Sequence, residues 1–400
     1  MIKKIKKLIV RGVALIMEGY KKAIELLYEA STPNGFVAAV QEEDNYRRIW
    51  TRDSSLCGLA ALSTDDAPLK QTFKKSIESI FINQHEAGFI PSNVSPVGKS
   101  VSYGNVVGRV DNHAWIIISA CNYAHVQKEK QWLQQFETAV AKSISLMTAW
   151  EFNGRGLMYV PQSADWADEY YHHGYILYNQ LLRLWALRCA ASAFNNEYYR
   201  SESVRVQTAI EKYFGGKEVY AAQIKRMQGG LQFPYWIMGF NTSAIYTQFD
   251  LQANALILLL NIGSEEQRKN LVGYVNELCT EQSFMLPSFH PVINEDAAAM
   301  HDLKNNYAYR FRNLPYEFHN GGLWSVWNGL MSMCIARQDE DLAAKISNNI
   351  DIACAQNNWE FNECHHGKTH QPIGIPKCAW SAAGLILGKN HFFLPQLISE

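Results

Sequence analysis

Residues 52–83 read RDSSLCGLAALSTDDAPLKQTFKKSIESIFIN. On both sides of Ser63-Thr64-Asp65-Asp66, apolar residues recur at helical spacing: Leu56, Leu59 and Ala60 before it, Leu69, Phe73, Ile77 and Ile80 after it. The short break turns one helix back onto the next, giving a helical hairpin. The same reading extends along the chain, while strand-like alternation is sparse. It predicts an all-α protein with helices at 2–30, 52–63, 66–83, 111–127, 130–150, 173–194, 196–214, 246–261, 264–280, 321–337, 338–355 and 378–389.

Short and long connections alternate. Long ones fall at about 31–51, 84–110, 151–172, 215–245, 281–320 and 356–377, and loops of that length in a compact domain usually carry function. Twelve helices in hairpins, with the long loops at one end, describe a closed double ring of six inner and six outer helices. Length alone would divide 400 residues into two or three domains. No Pro/Gly/Ser-rich linker interrupts the chain, so a single domain over 1–400 is expected.

Composition narrows the function. Lys+Arg total 37 and Asp+Glu 38, a net charge of -1, which argues against nucleic acid and against an anionic membrane surface. No apolar run is long enough to span a membrane. The start, MIKKIKKLIVRGVALIMEGYKK, reads as an amphipathic helix without a signal-peptide cleavage site. The eight cysteines show no CxxC spacing and several lie in apolar helices, so they are expected to be reduced, in a cytoplasmic protein. Trp, Tyr and Phe number 11, 20 and 18, an excess that points to a cleft walled by aromatic rings.

Chemistry-bearing residues gather in the long loops and at the helix starts beside them. Trp50-Thr51-Arg52-Asp53 joins an aromatic platform, a fork of donors and a carboxylate, the groups that hold a sugar ring, although Thr51 or Asp53 could equally cap a helix. Asp111-Asn112 opens another helix, where Asp111 could be only a cap. Asp165-Trp166-Ala167-Asp168-Glu169-Tyr170-Tyr171 sets three carboxylates among aromatics, the surroundings that keep a carboxyl protonated as a general acid; a solvated acidic loop is the plain alternative. Near the C-terminus, Glu363 lies on a loop between Trp359-Glu360-Phe361 and Trp380. Glycoside hydrolysis needs two carboxyl groups flanking the scissile bond, and only a chain that closes on itself can bring these two loops together. The histidines of 365–370 give no metal-ligand pattern, and no phosphate loop or nucleophile elbow is present, so no metal or cofactor is expected.

These clusters resemble the inverting (α/α)6-barrel glycosidases, in particular the amylo-α-1,6-glucosidase (glycogen-debranching) type and the neutral/alkaline invertases. Asn45-Tyr46-Arg47-Arg48-Ile49-Trp50-Thr51-Arg52-Asp53 is similar to the glycone-binding segment of the first group. Asp165-Trp166-Ala167-Asp168 with Leu177-Tyr178-Asn179-Gln180 resembles the segment of the general acid. Asn320-Gly321-Gly322-Leu323-Trp324, and Glu363 through Pro372-Ile373-Gly374 to Trp380, resemble invertase segments. The resemblance implies an (α/α)6 barrel with Asp168 as acid, Asp165 in reserve, and Glu363 as base. Trp50, Arg52, Asp53, Asp111, Asn112, Asp165, Trp166, Asn320, Trp324 and Trp380 would bind a carbohydrate. The W-x-R-D form leans to glucosidases and the C-terminal segment to invertases. The expected substrate is an α-glucosyl bond in a disaccharide, short oligosaccharide or glucan branch; sucrose hydrolysis and an inactive sugar-binding relative are the alternatives.

Overall fold

The computed structural model describes residues 17–98, 100–215, 233–307 and 310–399. A first helix, α1, covers 17–29. Five hairpins follow, with short connections inside each. They pair α2 (Thr51–Leu62) with α3 (Ala67–Ile82), and α4 (Asp111–Gln127) with α5 (Lys130–Gln134) and α6 (Glu137–Ala149). Next come α7 (Leu177–Phe194) with α8 (Glu197–Phe214), and α9 (Leu251–Leu259) with α10 (Glu265–Gln282). After α11 (Ala298–Lys304), a short helix inside a loop, α12 (Ser325–Ile335) pairs with α13 (Glu340–Ala355), and α14 (Ala379–Lys389) closes the chain.

Helices α2, α4, α7, α9, α12 and α14 are buried over nearly their whole length. Each packs on the next, and α14 packs on α2, so they form a closed inner ring. The second helices of the hairpins bury one stripe only, as amphipathic helices do: α3 through Leu69, Phe73, Ile77, Ile80 and Phe81, α8 through Tyr199, Val206, Ala209 and Ile210. They lie outside the ring. The molecule is an (α/α)6 barrel.

Short turns leave the C-terminal ends of the inner helices, and long loops lead into their N-terminal ends. All six inner N-termini therefore face the loop-bearing end, where the partial positive charge of each helix favours carboxylates. At the other end, residues 390–399 cross under the ring. Asn390 donates to the Ser63 carbonyl at 3.1 Å, Trp185 Nε1 to the Ile398 carbonyl at 2.6 Å, and the Ile398 amide to Asn122 Oδ1 at 2.8 Å.

The expected helices shorten where loops take up their first turns. Tyr175–Ile176 and residues 246–250, expected inside helices, belong to strands of an antiparallel sheet in the order Tyr175–Ile176, Ile237–Phe240, Ile245–Asp250, Phe289–His290. Their apolar side chains continue the helical pattern in sequence, but pairing across loops holds them extended. Gly321 and Gly322, expected in a helix, precede α12, and Gly321 has a φ of +90°, which the helix cannot include. The stretch expected at 130–150 breaks into α5 and α6. Residues 2–16 of the first expected helix lie outside the described residues. All eight cysteines are free and buried. Among the described residues no helix is long and apolar enough to cross a membrane, and no group of three or more His, Cys, Asp or Glu could hold a metal ion.

Candidate active site

The first turn of α2 supplies Arg52 and Asp53. The backbone there is capped by no side chain, so the capping reading of Thr51 or Asp53 falls away. The same holds for Asp111 on α4, whose cap position also lacks a side-chain bond. Instead Arg52 Nη1 donates to Asp111 Oδ2 at 3.0 Å, with both side chains buried. The Tyr178 hydroxyl, from α7, reaches the same oxygen at 3.5 Å, and the Arg52 guanidinium lies 5.7 Å from the centre of the Trp380 ring of α14. Four inner helices thus meet at one cluster. Burial pushes the Asp53 carboxyl up to about 6 and raises that of Asp111, against the opposing pull of Arg52.

The acidic loop is no solvated loop. Asp165 is 2% exposed; its Oδ1 accepts the Ala167 amide at 3.0 Å and its Oδ2 faces His172 Nε2 at 3.0 Å and Asn179 Nδ2 at 2.7 Å. Burial would raise this carboxyl, but His172 and the hydrogen bonds outweigh it and hold it below the ordinary carboxylate value. Asp168 differs. Its side chain is 36% exposed, and its Oδ2 pairs with Arg109 Nη2 at 2.5 Å. Glu169 is buried and accepts from Arg312 Nε at 3.1 Å. The loop is strapped from outside: Ser163 Oγ donates to Asn306 Oδ1, Asn306 donates to the Tyr170 carbonyl, and Asn313 donates to that of Glu169.

Glu363 comes from the far side of the ring. It is 8% exposed, and Tyr46 donates its hydroxyl to Oε1 at 2.9 Å. Burial pushes its carboxyl up to about 7, while Tyr46 and the Arg312 charge oppose the rise and Asp53 adds to it. Arg312 therefore stands between the two loops, bonded to Glu169 and within electrostatic reach of Tyr46 and Glu363. A Cβ at Gly374 would lie 2.5 Å from Glu363 Oε2, so only glycine leaves room for the carboxylate.

Aromatic rings connect these groups. Trp166 meets Trp324 at 5.4 Å and Trp327 at 5.1 Å between centroids, and Trp324 meets Trp380 at 5.5 Å. His319 stacks on Trp324 with planes 5° apart; burial pushes it down to about 4, so it is a neutral ring near pH 7. The fold brings together Arg52, Asp53, Asp111, Asp165, Trp166, Asp168, Trp324, Glu363 and Trp380. Trp50 sits at the rim, half-buried, donating to the Asn45 carbonyl at 2.9 Å. Two expected residues are committed to the chain itself: Asn112 donates to the Pro91 carbonyl, and Asn320 bonds the amide and carbonyl of Ile293 and the carbonyl of Asn313. Arg312, His319 and Trp327 were not anticipated. Arg310-Phe311-Arg312-Asn313, an arginine and aromatic run in a long loop, was the signal for the first of them.

No protein-family model and no curated protein sequence matches this chain. Solved structures match it by fold. The GH63 mannosylglycerate hydrolase from Thermus thermophilus in complex with Tris has a TM-score of 0.67 at 12% identity, covering 92% of this chain and 99% of that one. A rhamnosidase from Klebsiella oxytoca with rhamnose bound has a TM-score of 0.62 at 12% identity, covering 93% and 63%. A bacterial glucoamylase complexed with acarbose has a TM-score of 0.62 at 14% identity, covering 95% and 56%. At such identities the likeness is one of fold, and these are (α/α)6-barrel glycosidases.

Proposed function

We propose that this protein is a glycoside hydrolase that cleaves an α-glucosyl bond in a disaccharide or short oligosaccharide with inversion, the chain acting as one catalytic unit. The observation that supports it is that the loops carrying Asp168 and Glu363 are linked through Arg312, which bonds Glu169 and lies within electrostatic reach of Glu363, beside walls of tryptophan. Asp168 protonates the glycosidic oxygen as the C1–O bond breaks. Glu363 takes a proton from the water that attacks C1 on the opposite face, and the new C1–OH has the inverted configuration. Arg52, Asp53 and Asp111 hold hydroxyls of the terminal sugar, and Trp50, Trp166, Trp324 and Trp380 offer apolar faces. Asp165 is the weaker candidate for the acid, because both its oxygens are already bonded. Asn112 and Asn320 position the loops rather than the sugar.

Asp168→Asn and Glu363→Gln each abolish turnover with little loss of stability; near-normal activity in either variant removes its assignment. The anomer released first, read by NMR, distinguishes inversion from retention, and inversion calls for carboxyl groups about 6.5 to 9.5 Å apart in a substrate complex. One feature favours an exchange of roles: burial pushes the Glu363 carboxyl up to about 7, and Asp168 is paired with Arg109. With Glu363 as base, activity rises as pH passes about 7; with Glu363 as acid, it falls there. A reducing-sugar assay on sucrose, isomaltose, maltose and trehalose separates an invertase from a glucosidase, and binding without product identifies an inactive relative. The eight buried thiols agree with a reducing, cytoplasmic setting.

A further inference from the structure

On the inner helices α2, α7 and α14, the second helical residue is Arg52, Tyr178 and Trp380. These side chains meet around the barrel axis, with Asp111 of α4 between them. Helix α9 occupies the next place in the ring, between α7 and α12, and its second residue is Gln252. Two residues further on, Asn254 faces outward. Its amide bonds the nitrogen and carbonyl of Trp236 at 3.0 Å each, and the Trp236 ring lies against Gly215 and Gly263, at the ends of outer helices. Residues two apart on a helix point about 200° apart, so Gln252 faces the axis.

Gln252 is 0% exposed, and neither its Nε2 nor its Oε1 has a hydrogen-bond partner among the described residues. A buried amide with both ends unpaired is costly and rare in a folded protein. It is not alone on the axis. Asp111 Oδ1 and Arg52 Nε, of the cluster on the axis, are also buried and unpaired. Donors and acceptors left over on one axis match a ligand that is itself dense in both.

We propose that Gln252 binds two neighbouring hydroxyls of the terminal pyranose, its Nε2 donating to one and its Oε1 accepting from the other, and so selects among sugar epimers. This rests on the glycosidase reading and adds a specificity residue to it. The test uses Gln252→Met, which keeps the length and removes both hydrogen-bonding groups, and Gln252→Ala should the first not fold. D-glucose, D-mannose and D-galactose are titrated calorimetrically, and the disaccharide panel is assayed. The expected result is a 10- to 100-fold loss of sugar affinity and kcat/KM, at roughly the size of a lost buried hydrogen bond. The preference among epimers flattens while the melting temperature holds or rises. Wild-type affinity and epimer ratios in the variant overturn the inference alone. A wild-type protein that binds none of the three sugars and cleaves no disaccharide overturns the glycosidase reading with it. A sugar-bound crystal structure gives an independent answer: the amide within hydrogen-bond distance of two ring hydroxyls, or, against the proposal, facing only apolar side chains.

Discussion

Glu363 and Asp168 are both carboxylic acids in different surroundings: Glu363 is 8% exposed, whereas the Asp168 side chain is 36% exposed and paired with Arg109. Glu363 is nearly sealed and raised to about 7, and the Tyr46 hydroxyl, the Arg312 charge and a backbone hydrogen bond at Ile375 favour its ionised form. Tyr46→Phe removes one of those supports, so the limb of the pH–activity profile near 7 moves upward; an unmoved limb shows that Glu363 does not set it. The same burial couples to stability. The folded protein binds the Glu363 proton more tightly than the ordinary value of 4.5 would, so its penalty grows from about pH 4.5 to 7 and is complete above. Glu363→Gln removes it. That variant unfolds at higher denaturant than wild type at pH 8, by at most about 3 kcal/mol, and at a similar concentration at pH 4.5. The loop before Glu363 carries backbone strain as well: Asn357, Asn358, Trp359 and Phe361 all have φ between 45° and 61°. Such conformations cost of order 1–3 kcal/mol each and tend to persist where a side chain must be aimed. Nothing in the residue types Trp359 and Phe361 announces it.

At the scale of elements, the contact between α12 and α14 is the closest in the ring. A Cβ on Gly329 would overlap the Gly384 carbonyl oxygen, and one on Gly384 would overlap that of Ser325. The two backbones touch, which sets Trp324 beside Trp380 at the mouth. Gly329→Ala therefore forces the helices apart, destabilising by about 1–3 kcal/mol in urea unfolding, as overpacking does, and lowering activity as the tryptophans separate. Unchanged stability would mean that the helices slide freely. Hairpin pairing was legible from breaks such as Ser63-Thr64-Asp65-Asp66, because helical periodicity is a local property of the chain. The strands Tyr175–Ile176 and Ile245–Asp250 were not, because they run into helices of similar apolarity and are extended only by partners elsewhere in the chain.

For the molecule as a whole, the segment 390–399 ties α2, α4 and α7 together under the ring through Asn390, Ile398 and Ser399. Removing residues 391–400 takes away the bonds of Ile398 and Ser399 and the burial of Phe393, Leu394, Leu397 and Ile398. The melting temperature is expected to fall by at least about 5 °C; a truncated protein that melts like the full chain would show that the inner ring stands without its floor. The amino-acid sequence by itself determined the helices, their pairing, the closed ring and the loops that hold carboxylates among aromatics, since periodicity and breaks are written along the chain. Only the tertiary structure decided that Asp165 is anchored while Asp168 is half open and paired with Arg109, that Arg312 stands between the two acid loops, and that burial raises the Glu363 carboxyl. Those properties depend on burial and on neighbours far along the chain, as Tyr46 is from Glu363, and no pattern in one stretch of sequence carries them.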